Sequence, residues 1–436
     1  MDTATENLRL NEIVNHPRVV IIGGGFGGIE LAKKLKDKHV EVLMLDKHNY
    51  HTFQPLLYQI AMGDIEADSI AFPLRKIFVG QKNFSFRMAC VQEIHPERNM
   101  LTTDIGEIAY DYLVIATGST TNYFGNDELA KSTMPMKSIP EALNLRSLIL
   151  QNIEKAIITN SQEERETLLN FVVVGGGPTG VELSGALAEM RNYVLTHDYP
   201  ELKKEDMKVY LVEGKDRLLA SMSEQASIKA KDFLTELGVE VHNGVHVKSY
   251  TGCNLVIDNG KLITTRNVLW AAGVKGAVIK GIPQGVIVRG NRIQTDVYNR
   301  VTGYVNVFAI GDVAAMITPE TPDGHPGVAP AAIQQGKLLA KNIVNLLNGE
   351  ELVPFKYFDK GSLATVGKNL AVADLGKLHF QGFFAWLIWG FVHLMSLVSA
   401  RNRLVVLINW AGSYFSNSSG SRLIIRKFDS ESMKIK

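Results

Sequence analysis

The strongest signal along the chain is a short, unbroken apolar run that ends abruptly in glycine. Arg18-Val19-Val20-Ile21-Ile22 runs straight into Gly23-Gly24-Gly25-Phe26-Gly27-Gly28. Such a run, apolar without alternation, predicts a strand buried on both faces, as in a parallel sheet. The glycines predict a tight turn into a helix. Val40-Glu41-Val42-Leu43-Met44-Leu45 predicts a second strand, closed by Asp46, and Asp111-Tyr112-Leu113-Val114-Ile115 a third, closed by Ala116-Thr117-Gly118. The same three pieces then return. Phe171-Val172-Val173-Val174 enters Gly175-Gly176-Gly177-Pro178-Thr179-Gly180, Val209-Tyr210-Leu211-Val212 ends at Glu213, and Asn267-Val268-Leu269-Trp270 ends at Ala271-Ala272-Gly273. A helical pattern covers 140–159 between the copies. Beyond them, a strand over 304–310 is closed by Gly311-Asp312, a helix runs through Leu346, and residues 359–367 read as a hairpin strand with Lys360 near its start.

The spacing within each glycine turn predicts a phosphate cradle. Gly23 makes the turn, Gly25 lets the backbone approach a pyrophosphate where a Cβ would intrude, and Gly28 lets the following helix pack on the strand. The first amides of that helix face the anion, aided by the helix dipole. A carboxylate about twenty residues on, at the end of the neighbouring strand, hydrogen-bonds an adenosine ribose, and Asp46 stands there. Two copies predict two dinucleotides. In the second copy Glu213 lies 36 residues past Gly177, an excess assigned to the polar insertion 196–208. Several neighbours admit two readings. Glu182 is either a carboxylate favoured by the helix dipole or a group facing the ligand crevice. Asp312 is either a helix N-cap or an acceptor for the hydroxyls of a ribityl chain. The aromatic and amide-rich segment 47–59 is either a packed loop or the lining beside whatever the nucleotide carries. Gln334 and Gln335, which follow small residues that let something flat approach, are either incidental or part of that approach.

At 436 residues the chain exceeds one compact core and fits two domains plus an appendage. Cys90 and Cys253 lie in no CxxC or metal-ligand cluster, which predicts no disulfide framework, no metal and a reducing compartment. Residues 1–17 are polar and lack the apolar run of a signal peptide. The formal net charge of +1 hides an asymmetry, because residues 376–436 carry eight Lys and Arg against two Asp and Glu. A basic tail on an acidic body argues against nucleic acid as a partner and suits an anionic membrane surface. The tail is also apolar: the seventeen residues 382–398 hold no charge, which is short for a bilayer crossing. Arg401-Asn402-Arg403 interrupts the pattern, which resumes over 404–410. Two short helices lying in an interface are therefore expected, with Trp386, Trp389 and Trp410 at the interface. A homodimer is the other way to bury the same surface.

Residues 23–28, 51–59, 175–182, 308–312 and 329–335, with Arg401-Asn402-Arg403 inside an apolar tail, together resemble the two-dinucleotide-binding flavoprotein reductases. Within them the chain resembles the type II NADH dehydrogenases, the non-pumping NADH:quinone oxidoreductases, over nearly its full length. The resemblance implies an α/β fold with two Rossmann-like dinucleotide-binding domains. An NADH-binding domain (126–275) would be inserted in an FAD-binding domain (1–125 and 276–350), followed by an amphipathic helical region (351–436) that anchors to a membrane and offers a dimer surface. FAD would take the first cradle, with Gly23, Gly25, Phe26, Gly27, Gly28, Asp46, Lys47, Gln59, Ala116, Thr117 and Gly118, and with Asp312 on the flavin ribityl. NADH would take the second, with Gly175, Gly177, Pro178, Thr179, Gly180, Ala272 and Gly273, and with Glu213 favouring NADH over NADPH. Glu182 and Lys360 look like the family's acid and lysine near the flavin and quinone, and Gln334 and Gln335 like its quinone-pocket glutamines. Pro330 departs from the pattern, since many members carry an extra glutamine there. The implied activity is hydride transfer from NADH to FAD, then two electrons to a membrane quinone, ubiquinone or menaquinone, at the cytoplasmic face of the membrane. A soluble NADH-dependent ferredoxin or rubredoxin reductase is the alternative enzyme and would not need the apolar tail. A non-catalytic nucleotide-binding redox sensor would not need Glu182 or the paired glutamines. Disulfide and sulfide:quinone reductases need reactive cysteines in positions that Cys90 and Cys253 do not occupy.

Overall fold

Strands with no polar face can be buried only between two layers, and both apolar triplets meet that requirement in a parallel sheet. A computed structural model describes residues 16–416, 423–424 and 426–429. Residues 1–15, and Arg422, Glu431, Lys434 and Lys436 of the basic tail, lie outside the described residues. The chain forms two units: Met1–His51, Phe72–Thr120 and Val274–Asp359 make the first, and Thr52–Ala71, Thr121–Gly273 and Lys360–Lys436 the second. Segment 52–71 and the chain from Lys360 onward thus group with the second glycine motif, where the sequence reading had set 52–71 with the first motif and the tail apart. Residues 351–359 group with the first unit.

The first unit is built on a five-stranded sheet in the order Val307–Ala309, Tyr112–Ile115, Arg18–Ile22, Glu41–Asp46, Phe84–Met88, parallel throughout. Alternate residues of its central strand serve opposite faces, as the pleat requires. Val19 and Ile21 pack with Leu31, Phe86 and Leu339, whereas Val20 and Ile22 pack with Ile94, Leu101 and Ile293. Helix Phe26–Lys34 lies against helix Ala329–Asn348 so closely that a Cβ on Gly336 would stand 2.4 Å from the Gly27 carbonyl oxygen.

The second unit repeats the plan with Met134–Pro135, Asn267–Trp270, Asn170–Val174, Lys208–Glu213 and Val239–Asn243, again all parallel. The insertion 196–208 follows π-helical Met190–Leu195 and is taken up by a helical turn at Thr196–Asp198 and a 3-10 turn at Lys204–Asp206. Strand Lys208–Glu213 therefore still runs beside Asn170–Val174 in register. Helix Pro178–Glu189 packs on the antiparallel strand Ser362–Gly367, where a Cβ on Gly185 would fall 1.6 Å from the Val366 carbonyl oxygen. That contact carries the C-terminal sheet, and the helices Gly382–Ser396 and Ala400–Ser416 follow it.

No described helix is long and apolar enough to cross a membrane. One side of the helix pair packs inward through Ala385, Trp389, Leu397 and Val406, and the other exposes Phe384, Phe391, Leu404 and Ile408. The tryptophans do not follow the expectation. Trp389 is buried, Trp386 and Trp410 are half-buried, and all three line a pocket, leaving phenylalanine, leucine and isoleucine among the outward apolar residues. Arg401 is exposed, while Arg403 donates to the Leu397 carbonyl and Asn402 to the carbonyls of Asp68 and Ala71, pinning the second helix to segment 52–71.

Candidate functional site

Each glycine turn has the geometry of a phosphate cradle, and the two match atom for atom. Gly23 has φ +112°, and a Cβ there would stand 2.3 Å from the Ala116 carbonyl oxygen. Gly175 has φ +111°, and its Cβ would stand 2.5 Å from the Ala271 carbonyl oxygen. Both turns therefore require glycine, and both lie against the strand that ends in small residues. The Cβ of a residue at Gly28 or Gly180 would run into the carbonyl oxygen of Gly23 or Gly175 in turn. Gly25 and Gly177 are different: a Cβ on either meets nothing within 4 Å. Those two positions need glycine for no reason internal to the protein, so the open space over them fits a dinucleotide pyrophosphate. Each is the N-cap of its helix without a side-chain cap, which leaves the helix amides available to an anion. Phe26 opens the first helix, and Pro178 and Thr179 open the second, Pro178 at the position where a missing N–H costs nothing.

The acids also match. Asp46 accepts from the Gly24 N–H and the His48 N–H, each at 2.7 Å. Glu213 accepts from the Gly176 N–H and, at 2.7 Å, from the Lys215 N–H. Each carboxylate ties its glycine turn to the chain just past its own strand, and remains partly exposed at the cradle. Lys47 is exposed beside Asp46. Thr117 Oγ1 donates to the Ala277 carbonyl at 2.7 Å, and Gly118, with φ +69°, accepts from the Ala277 N–H, so the turn that closes the third strand is tied to Ala277. Ala272 and Gly273 occupy the corresponding exit in the second unit. His51, which the sequence reading did not single out, sits buried against Gly24. Its Nδ1 is 3.1 Å from the Gly24 carbonyl oxygen and its ring stands edge-on to Phe26. Burial holds its imidazole down to about 4, so the ring is neutral.

Asp312 accepts a 2.6 Å hydrogen bond from Ser119 Oγ and lies in the 3-10 turn Gly311–Val313. Gln335 is buried and accepts from the Gly311 N–H at 2.7 Å, so it shapes the turn that carries Asp312. Gln334 clamps the main chain of Phe358 from both sides, donating to its carbonyl and accepting from its N–H, each at 2.9 Å. Both amides are thus already engaged with backbone.

The second unit holds a pocket walled by Tyr58, Gln59, Glu182, Glu189, Lys368 and the three tail tryptophans. Glu182 is buried in it, and burial pushes its carboxyl up to about 8 although the Thr365 main chain hydrogen-bonds it. The Trp389 indole N–H favours that carboxylate electrostatically without reaching hydrogen-bond geometry. Gln59 stands here rather than in the first cradle: it donates to the Tyr58 hydroxyl at 3.0 Å and accepts from Trp410 Nε1 at 2.9 Å. The lysine of the pocket is Lys368, because the strand Ser362–Gly367 turns at Asn369, with φ +65°, and brings its far end to Glu189. Lys360, the lysine that the resemblance pointed to, is exposed and outside that lining. Cys90 and Cys253 are free and exposed, and neither lines the pocket.

Comparison with known proteins agrees with this geometry. Residues 17–336 match the family model described as pyridine nucleotide-disulphide oxidoreductase, and residues 360–417 match the model of the NDH2 C-terminal domain. The chain is 36% identical over 422 residues to the type II NADH:quinone oxidoreductase Ndh of Mycobacterium tuberculosis, covering 93% of this chain and 90% of that one. It is 33% identical over 407 residues to the type II NADH:quinone oxidoreductase of Haemophilus influenzae, covering 84% of this chain and 90% of the relative. In fold it matches the structure of NDH2 from Plasmodium falciparum in complex with NADH, with a TM-score of 0.85 at 22% identity, over 94% of this chain and all of the other. With paired dinucleotide cradles, an NDH2-type tail and relatives this similar over most of its length, the chain belongs to the type II NADH:quinone oxidoreductases.

Proposed function

We infer that this chain oxidises NADH through FAD and passes the two electrons to a quinone at a membrane surface, without pumping protons. The observation that carries the quinone half is the pocket of the second unit, in which a buried acid that is protonated at neutral pH lies among aromatic residues of an apolar tail. FAD, once bound, accepts the hydride of NADH and delivers an electron pair onward, which is chemistry that no side chain here supplies. The chain's own residues hold and orient. Gly25 and the amides that follow it receive the FAD pyrophosphate, Asp46 and Lys47 flank its adenosine ribose, and Asp312 takes the ribityl hydroxyls, steadied by Ser119 and Gln335. Gly177 and the amides after Thr179 receive the NADH pyrophosphate. Glu213 accepts from the ribose hydroxyls and repels a 2′-phosphate, which favours NADH over NADPH. Gln334 and Pro330 shape the start of their helix and the Phe358 segment held against it.

A quinone that takes two electrons also takes two protons. Glu182, neutral at pH 7, is placed at the buried end of the pocket to give one to a quinone oxygen. The exposed Phe384, Phe391, Leu404 and Ile408 enter the lipid interface on the cytoplasmic face, with Arg401 toward anionic headgroups. A second copy of the chain is the alternative cover for this surface.

Stopped-flow absorbance separates the two half-reactions. NADH should bleach the flavin band equally in the parent and in Glu182→Gln. A short water-soluble quinone should restore the band at least tenfold more slowly in the variant, within the range that general acid catalysis contributes. Restoration at the parent rate in Glu182→Gln would remove this pocket as the quinone site, and restoration by ferredoxin but not by quinone would replace the activity with the soluble alternative.

A further inference from the structure

Glu182 is not alone on its helix face. Glu189 lies seven residues on, at the end of the same helix Pro178–Glu189, two turns away on nearly the same side, at a rise of about 10 Å. Both carboxylates line the one pocket, and between and around them stand Tyr58, Asp64, Lys368 and Tyr193. The two ends differ in access. Glu182 is 8% exposed, whereas Glu189 keeps some solvent contact and its neighbour Tyr193 is 50% exposed. The Tyr58 hydroxyl is buried, takes a hydrogen bond from Gln59, and so keeps its own proton to donate into the pocket. Trp389 Nε1 is a buried donor with no hydrogen-bond partner, on the same wall. The pocket offers about 150 Å³, room for water held between these polar groups.

We propose that Glu189 reloads Glu182 with protons during quinone reduction, through the Tyr58 hydroxyl and water in the pocket. This rests on the reading of the pocket as the quinone site. When Glu182 gives its proton to a quinone oxygen, a carboxylate remains. A proton then moves from Tyr58 or water to that carboxylate, from Glu189 to the group that gave it, and from solvent to Glu189. One pass delivers one proton and a second pass delivers the other, so two electrons and two protons enter the quinone and the acids end as they began, while the proton equivalent that came with the hydride of NADH leaves to solvent. The groups facing Glu189 set its proton affinity. Burial pushes its carboxyl up to about 7, the Lys368 main-chain N–H, at 2.5 Å, lowers it, Asp64 raises it, and the Lys368 ammonium lowers it. Lys368 Nζ is itself held by the Tyr414 carbonyl at 2.7 Å and over the Tyr414 ring. Glu189 acts through Glu182 and is therefore a positioning residue.

The test compares Glu189→Gln, Glu189→Asp and Glu182→Gln as FAD-loaded full chains, using NADH, a short water-soluble quinone and imidazole buffer. In Glu189→Gln, flavin reduction by NADH should match the parent and reoxidation should slow about tenfold. Imidazolium, a mobile proton donor, should recover most of that loss, and Glu189→Asp should stay within about threefold of the parent. The parent's reoxidation rate should fall through apparent ionisations near pH 7 and pH 8, and the lower one should vanish in Glu189→Gln. Infrared titration of the protein should show one protonated-carboxyl band lost in the same variant. Slow reoxidation with neither imidazole rescue nor an altered pH profile would make Glu189 structural and overturn the relay. Parent-like reoxidation in Glu189→Gln, with Glu182→Gln still slow, would overturn the relay and leave the quinone site standing. Parent-like rates in both would remove the site and the relay together.

Discussion

Gly23 and Gly25 stand two positions apart, and the backbone treats them in opposite ways. Alanine at Gly23 would have to occupy φ +112° with its Cβ 2.3 Å from a carbonyl oxygen, so Gly23→Ala strains the apoprotein itself. Alanine at Gly25 meets nothing within 4 Å in an ordinary extended conformation, so only a bound pyrophosphate would collide with it. Gly25→Ala and Gly177→Ala, compared as FAD-free chains, should therefore melt within about 2 °C of the FAD-free parent. The first should purify with its FAD largely lost and the second should bind NADH at least tenfold more weakly, a cost of about 1.4 kcal/mol. Flavin absorbance per chain and NADH titration read the two outcomes, and full FAD content in Gly25→Ala would place the pyrophosphate elsewhere. This distinction could be read in the chain only as a motif. Which glycine serves the fold and which serves the ligand follows from where the Ala116 carbonyl lies.

Among the elements, the tail helices carry the clearest consequence. Phe384, Phe391, Leu404 and Ile408 are between 58 and 71% exposed on two adjacent helices, while Trp389 and Val406 point inward. Even at about 1 kcal/mol each on insertion, below the roughly 1.5–3 of full burial, the four would strengthen membrane partitioning about a thousandfold. Replacing all four by serine should release the protein from anionic vesicles in a flotation assay and leave flavin reduction by NADH intact. If the parent does not float with vesicles and instead sediments as a dimer, the surface belongs to a subunit interface. The amphipathic hairpin was legible from its uncharged runs and central arginines. The inward turn of the tryptophans was not, because helical periodicity says which residues share a face but not which face meets the protein. Here that was decided by strand Leu370–Leu375, whose Ala371 and Ala373 accept Ala385 in a small cluster.

At the scale of the whole molecule, the buried acids couple the second unit's stability to pH. Glu182 and Glu189 take up protons near 8 and 7 when folded, against about 4.3 in an unfolded chain. Between those values the folded state binds more protons, so the free energy of unfolding falls as pH rises. His393 works in the opposite sense, since burial holds it down to about 4 and its contribution grows as pH rises toward 6.5. The melting temperature should therefore fall as pH rises from about 5 to 8, more gently below about 6.5, where His393 offsets one of the two carboxyls, and Glu182→Gln should flatten the fall. Calorimetry across that range checks it, and a midpoint that rises with pH would mean that these carboxyls ionise in the folded state. What the sequence determined by itself was whatever local chemistry dictates: two buried parallel sheets, two glycine turns, their closing acids and an apolar tail, because strand burial and turn geometry are written in consecutive residues. What only the tertiary structure decided was the company kept across the fold. Gln59 and Lys368 joined Glu182 and Glu189 in one pocket, Lys360 stayed outside it, and Gln334 and Gln335 turned to backbone. Residues far apart in the chain become neighbours only when a helix packed on Ser362–Gly367 brings the C-terminal sheet and its helices to the second glycine motif.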